Sequence, residues 1–255
     1  KSNYSDNFGL QWKKFSRTQL DSYSGLNISE ERLVRCLDFD KSKLKDKFVL
    51  EAGSGAGRFT EILIKLKAIV HSFDYSTAVE ANALNNNNDN FILVQADIRK
   101  IPFQKNFYDF VICLGVLQHT PDPEESIRSL WKMLKPGGKL VIDHYLFKWR
   151  IFLPPPFGQA LGIYRRLILF MPKKLRYQIV KKLVDFWFPF HWKFRNNYLI
   201  TRVLRRLSPV IFHYENIKLK DKDMYYQWSL LDTHDSTTDD YKHLKKPEQI
   251  KKYLE

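Results

Sequence analysis

Glu51, Asp74 and Asp97 are the residues from which chemistry can first be read. Each acid stands at or just past the end of a short apolar run, and the first opens onto Gly53-Ser54-Gly55-Ala56-Gly57-Arg58. Glycines between an apolar run and a helix permit positive φ and let a ligand approach the main chain, while the unpaired N–H groups of the helix start favour an anion. A carboxylate has lone pairs for two donors, so Asp74, 21 residues after Gly53, can accept both hydroxyls of a ribose. The dinucleotide fingerprint G-x-G-x-x-G does not fit, because the third glycine comes one residue early and Arg58 stands where it is required. Asp97-Ile98 offers a carboxylate for an amino group beside an apolar side chain for a ring, which suits an adenine edge. Either aspartate alone reads equally well as a helix cap or turn residue. Three acids at three successive strand ends are harder to explain that way.

The elements that hold these acids alternate. KFVLEAG, IVHSFD, NFILVQAD, FYDFVICLG and KLVIDHYLF read as strands, and GRFTEILIKLK, TAVEANALNNN and PEESIRSLWKML as helices between them. Such alternation argues for a mostly parallel sheet with helices on both faces. The Asn85–Asn90 tract reads as a loop, and Ser29 as the N-cap of a helix running to about Phe39. After Phe147 the alternation stops at Pro154-Pro155-Pro156. The expected organisation is an N-terminal aromatic and helical segment (1–45), a core (46–147), a basic helical cap or insertion (148–240) and a last core helix (241–255).

At this point the residues resemble a known family, the class I S-adenosylmethionine (SAM)-dependent methyltransferases. VLEAGSGAGRFTEIL is similar to the family's first motif, FDYS to its ribose-binding segment and QADIRKIPF to its adenine segment. FYDFVICLGVLQHTPDPEESIRSLWKMLKPGGKLVI is similar to its fourth and fifth strands with the Leu-Lys-Pro-Gly-Gly turn between. The resemblance covers about residues 46–147. It implies an α/β, doubly wound, Rossmann-like sheet of order 3-2-1-4-5-7-6, with the cofactor SAM across the C-terminal strand ends. The implied cofactor-binding set is Glu51 by the methionine amino group, Gly53, Ser54 and Gly55 along the methionine moiety, and Arg58. Asp74 with Tyr75 would hold the ribose, Asp97 with Ile98 the adenine, and Leu114 would lie near the methyl. The family pattern ends in an antiparallel strand pair that does not follow KPEQIKKYLE. Those strands are expected to lie outside this sequence or to be supplied differently.

Methyl transfer from a sulfonium needs alignment above all, and a general base only where the acceptor is a weakly acidic hydroxyl or a protonated amine. His119, His144 and Tyr145, after the fourth and fifth strands, are the catalytic candidates, His119 being equally a loop-shaping residue. Asp232, His234 and Asp235, with Tyr241 after them, loosely resemble an acidic loop of a bacterial methyltransferase subgroup and are read as substrate contacts. One His without a matching partner sequence gives no reason to expect a metal.

The net charge of +14 is local: Lys148 to Lys222 holds 17 Lys/Arg against Asp185, Glu215 and Asp221. Basic residues interleaved with Trp and Phe read as a lid on the core, as a surface for an anionic amphiphile or membrane interface, or, less favoured, as a nucleic-acid surface. With no apolar signal segment and no spanning run, the expected location is cytoplasmic, at most peripheral at a membrane surface. The function expected is methyl transfer from SAM to oxygen or nitrogen of a small or amphiphilic acceptor. The alternatives are a non-catalytic SAM-binding regulator and a nucleic-acid methyltransferase or binding protein.

Overall fold

The structure, a computed structural model, describes residues 5–38, 40–147, 149 and 158–254. Phe39 and the Pro154-Pro155-Pro156 break lie outside them. The chain divides into two compact units, Lys1–Phe147 with Tyr241–Glu255, and Lys148–Asp240.

The first unit is built on five parallel strands: β1 (Phe48–Ala52), β2 (Ile69–Asp74), β3 (Phe91–Gln95), β4 (Tyr108–Cys113) and β5 (Leu134–Ile142), in the order β3-β2-β1-β4-β5. This is the doubly wound α/β sheet expected. Successive residues of a strand face opposite sides, so Val49 packs with Leu33, Ile62 and Leu63 on one face, and Leu50 with Phe73, Leu117 and Ile127 on the other. Helices α1 (Asp6–Lys14), α2 (Asp21–Ser24) and α3 (Ile28–Cys36) precede the sheet, and α4 (Arg58–Lys65), α5 (Val79–Asn85) and α6 (Pro123–Trp131) lie between its strands. The chain winds outward from β1 to β3 and then crosses back to β4, so the strand order reverses between β1 and β4. In such sheets ligands bind at that reversal, beyond the carboxyl ends of the strands.

Four local expectations are corrected. Ser29 is not the N-cap of α3: the carboxylate of Asp21 accepts from the N–H groups of Ser29 and Glu30, both at 2.9 Å, and so caps the helix from a distance in sequence. Asp97 does not end β3, which stops at Gln95. The Leu-Lys-Pro-Gly-Gly stretch is not a turn ahead of β5 but a bulge within it, since Tyr108 pairs with Leu134 and Phe110 already with Lys139. Asn85 is not a loop residue, because it ends α5, and the loop begins at Asn86, which is buried. Among the described residues no strand follows β5. Leu146 and Lys245 form a single parallel bridge, and α11 (Pro247–Lys252) follows.

The second unit is helical: α7 (Leu161–Leu169), α8 (Lys173–Lys193), α9 (Tyr198–Leu207) and α10 (Lys222–Thr238). Val180, Val184 and Phe188 form the buried stripe of α8 at helical spacing. Arg165 pairs with the buried Asp239, and Arg176 with Asp240, which satisfies charges at the end of α10.

Candidate active site

The glycine turn is held from three sides. Gly53 and Gly57 have φ of +73° and +90°, and a Cβ on either would run into Val116 or into the amides of Asn82 and Asn86. Those amides brace the turn: Asn86 Nδ2 donates to the Gly57 carbonyl at 3.1 Å and to Asn82 Oδ1 at 2.8 Å. Asn85 Nδ2 donates to Ala56 O at 2.8 Å. From the end of β2, Asp74 Oδ2 accepts from Gly55 N at 2.8 Å, while Oδ1 accepts from the N–H and hydroxyl of Ser76, each at 2.7 Å. From above, Trp12 of α1 lies against Gly55, where a Cβ would meet its Nε1 at 3.1 Å. Phe8 of the same helix packs edge-on against His119 with ring centres 5.1 Å apart. Helix α1 therefore spans the carboxyl ends of β1 and β4.

Glu51 is buried at the end of β1, with Oε2 accepting from Thr60 Oγ1 at 2.5 Å and Ser72 Oγ at 3.0 Å. Burial pushes its carboxyl up to about 7; the two hydroxyls oppose that shift and nearby Asp74 adds to it. Asp74 is raised as well, chiefly by burial, against the Ser76 and Gly55 donors.

Seven buried side-chain nitrogen or oxygen atoms lack a hydrogen-bond partner among the described residues. Glu51 Oε1 and Ser54 Oγ border the glycine turn, and Gln118 Nε2 and Oε1, His144 Nε2 and His243 Nε2 follow β4 and β5 or lie beside those segments. Only Ser229 Oγ lies in the other unit. Native proteins leave few such groups, each costing about 1–3 kcal/mol, and six of these seven belong to the first unit.

The predicted residues are not brought together equally. Glu51, Gly53, Ser54, Gly55 and Asp74 form one continuous surface around the turn. Arg58 instead donates through Nε to Ser29 Oγ at 2.8 Å and through Nη1 to Gln19 at 3.0 Å, toward the N-terminal segment. Tyr75 is half-buried, and its carbonyl accepts from Gln95 Nε2 at 3.0 Å. Asp97 is held by the guanidinium and N–H of Arg99, with Nη2 at 2.7 Å. Despite partial burial, those donors keep its carboxyl below the usual range. Ile98 and Leu114 are buried. His119, Tyr145 and Tyr241 do meet: His119 Nδ1 lies 3.3 Å from the Tyr241 carbonyl, and the His119 and Tyr145 rings stand edge to face at 5.6 Å.

The reading of Asp232, His234 and Asp235 as a loop is corrected, because all three lie in α10 of the second unit. At 100° per residue, His234 points away from Asp232. It is fully buried, its ring edge-on to Tyr177, with burial drawing its pKa down to about 4. Asp232 pairs with His213. Tyr241 belongs to the first unit.

Residues that sequence reading passed over include Arg32 and Asp143. They form an ion pair, and Asp143 Oδ1 also accepts from Gly115 N at 2.6 Å, tying the ends of β4 and β5. No motif flags this pair, since 111 residues separate its members. Gln118 and His243 were also missed. The asparagines at 82 and 85 did carry a signal, standing three apart on one helical face, with Asn85 the first residue of the tract read as loop.

The site fits SAM. A buried carboxylate oxygen without a donor suits the methionine ammonium, and the turn's main chain can be approached closely. Three of the four lone-pair positions of Asp74 are filled, so Oδ2 would be left to accept one further donor such as a ribose hydroxyl.

Comparison with known proteins agrees. Residues 50–142 match the family described as a methyltransferase domain. A ubiquinone biosynthesis O-methyltransferase of Coxiella burnetii is 34% identical over 100 residues, 38% of this chain and 43% of its own length. A tRNA U34 carboxymethyltransferase of Ruthia magnifica is 30% identical over 145 residues, 52% of this chain and 44% of its own. The chain thus spans about half the length of the curated relatives it matches. Among solved structures, a SAM-dependent methyltransferase from Aquifex aeolicus aligns with a TM-score of 0.43 at 23% identity, over 61% of this chain and 80% of that one. Over residues 50–142, this chain is thus similar to a methyltransferase domain.

Proposed function

We propose that the protein transfers the methyl group of SAM to the oxygen of a hydroxyl on a small or amphiphilic acceptor, with His144 taking the hydroxyl proton. The observation that carries this reading is the state of His144. Its Nδ1 lies 3.1 Å from the Tyr145 carbonyl, which can only accept, so Nδ1 bears the hydrogen and Nε2 keeps its lone pair. That Nε2 is buried and without a partner. Burial first, and then nearby His243, lowers the pKa of His144 and keeps the ring neutral. A neutral base within reach of the hydroxyl is what O-methylation of a weakly acidic acceptor requires.

SAM supplies a methyl group on a sulfonium, activated toward displacement. An acceptor oxygen would take the methyl group as the S–CH3 bond breaks, with that electron pair staying on sulfur, and His144 Nε2 would take the hydroxyl proton. Glu51 and Asp74 orient, while α1 with Trp12 and Phe8 excludes water. The O-methyltransferase relatives support oxygen as the atom methylated. The test is methyl transfer from labelled SAM to a panel of phenols, alcohols and amines. Turnover of hydroxyl acceptors that falls in His144→Gln supports the reading, and turnover of amines alone contradicts it.

We read the second unit as working at an anionic membrane surface. No helix among the described residues is long and apolar enough to cross a membrane. Exposed Leu167, Phe170, Phe186 and Leu199 alternate with Arg166, Lys174, Lys182 and Arg202, none of which forms an ion pair among the described residues. Between Lys148 and Lys222 the three acids are already engaged, Asp185 by Lys181, Glu215 by Arg205 and Asp221 as the N-cap of α10. Apolar side chains among unpaired cations suit the interface of anionic lipids.

A further inference from the structure

We propose, building on the membrane reading of the second unit, that the corner between α7 and α8 is the part that enters the bilayer. Phe170 passes below the phosphates of an anionic phospholipid surface, and Arg166 and Lys174 meet those phosphates.

The corner is Phe170-Met171-Pro172, between Leu169 at the end of α7 and Lys173 at the start of α8. Ile163, Leu167 and Phe170 recur at intervals of four and three and so share one face of α7. Met171 and Leu175 continue that apolar run around the bend. All five side chains are exposed, Phe170 by 86%. Ile168 turns the other way and is buried, as are Val180 and Val184 of α8. The outward set is therefore surplus to the unit's own core.

A corner can leave water only if its main-chain groups are already paired. The last carbonyls of a helix have no partner within it, and here a buried cation supplies one. Arg176 is more than nine-tenths buried, and it donates through Nη2 to Leu169 O at 2.9 Å and through Nε to Met171 O at 3.1 Å. Met171 N donates to Ile168 O at 3.0 Å and Leu175 N to Pro172 O at 2.9 Å, while Pro172 has no N–H to satisfy. The guanidinium is fixed in turn by Asp240 at 3.3 Å, which also takes Lys173 at 2.6 Å. The bend is thus held in shape before it meets any partner.

The charge around it selects the partner. From Lys148 to Val184 the sequence has no acid. The two acids that face the corner from the end of α10, Asp239 and Asp240, are taken by Arg165, Arg176 and Lys173. Arg166 and Lys174 stand four residues to either side of Phe170, and their long stems let the charged heads reach phosphates while the apolar tip goes deeper. A second copy of the chain would set these cations against each other. A neutral apolar partner would leave them unanswered. Farther along α8, Phe186 is also exposed, but it stands beside Asp185 and is expected to remain shallower.

The experiment places a nitroxide on Phe170→Cys, Phe186→Cys or Asp223→Cys, each in a Cys36→Ser background whose remaining thiol, Cys113, is fully buried. Asp223 is the reference in water: α10 runs about 22 Å from it to Thr238, whose carbonyl accepts from Arg176 beside the corner. With vesicles of phosphatidylcholine and phosphatidylserine, collision with oxygen against a water-soluble nickel chelate gives each depth. The nitroxide at 170 is expected about 5–10 Å into the boundary between headgroups and acyl chains, that at 186 shallower and that at 223 in water. Phe170→Ala is expected to weaken vesicle binding by about tenfold with the melting temperature unchanged. Vesicle binding that leaves position 170 in water overturns the proposal, as does equal depth at 170 and 186, which would mean a unit lying flat on α8. Shielding of position 170 without vesicles, in a sample that elutes as a dimer, would assign the corner to a second copy and overturns it too. Absence of vesicle binding by the wild-type protein is a separate result, and it overturns the membrane reading itself.

Discussion

The N–H of Gly55 donates to Asp74 Oδ2 at 2.8 Å, so the turn that follows β1 is fastened to the acid that ends β2. One carboxylate thereby shapes the main chain and, in the proposed function, would also hold the ribose of SAM. Replacing Asp74 by Ala removes both roles. SAM affinity is expected to fall by at least about tenfold from the lost charge-assisted hydrogen bonds alone, measured by calorimetry on protein shown to be folded.

Glu51 gives the ligand-free protein a distinctive pH dependence. Its carboxyl titrates at about 7 in the fold against 4.5 ordinarily. A group raised in the folded state contributes stability that is complete below its unfolded pKa and lost as pH rises through the folded value. For this buried group the change is of the order of 3 kcal/mol. Thermal melts of the ligand-free protein are therefore expected to fall steadily from about pH 5 to about pH 8, and this slope is expected to disappear in Glu51→Gln. Bound SAM, with its ammonium beside the carboxylate, is expected to flatten the slope in the wild type. Identical slopes in wild type and Glu51→Gln would contradict this account of Glu51.

Gly57→Ala tests the asparagine bracket. The residue has φ of +90°, and an added Cβ meets Asn82 and Asn86. The strained backbone costs about 1–2 kcal/mol, and displacing hydrogen-bonded amides adds about 1–3 kcal/mol. Denaturant titration is expected to show at least the first of these losses. A variant as stable as wild type would mean that the bracket yields freely.

His144→Gln is expected to slow methyl transfer by about a hundredfold or more while leaving binding of S-adenosylhomocysteine intact. Because the pKa of His144 is lowered, the acidic limb of the wild-type rate profile is expected below pH 6.5, the ordinary histidine value, with a plateau above it. A limb rising only above neutrality would assign the proton transfer to another group.

For the second unit, co-sedimentation with vesicles of phosphatidylcholine, with and without phosphatidylserine, is the direct measurement. Binding is expected only with the anionic lipid, weakening with salt, and reduced when Leu167 and Phe170 are both changed to Asp. Binding to RNA in preference to anionic vesicles would overturn the membrane reading.

The strands were legible because a parallel strand buried on both faces leaves an unbroken apolar run, the order of the sheet only through the family resemblance, and the turn because only glycine tolerates its backbone. The bulge in β5 was not, since LKPGG reads as a turn and only its register with β4 shows that the strand begins before it. Asp232, His234 and Asp235 misled for a related reason. Polar residues between apolar ones look like a loop until the helix carrying them is placed, and His234 then proves to be a core residue. Gln118 illustrates the rest. It meets His243 only through the fold, from more than a hundred residues away, and no local pattern joins the two.

The central claim, that the carboxyl ends of β1 and β2 bind SAM, is tested most directly by calorimetric titration of the purified protein with SAM and, separately, with NAD. The account predicts saturable SAM binding in the micromolar range, no heat with NAD, and loss of the SAM signal in Asp74→Ala. No SAM binding by the folded protein, or SAM binding unchanged in Asp74→Ala, would contradict it.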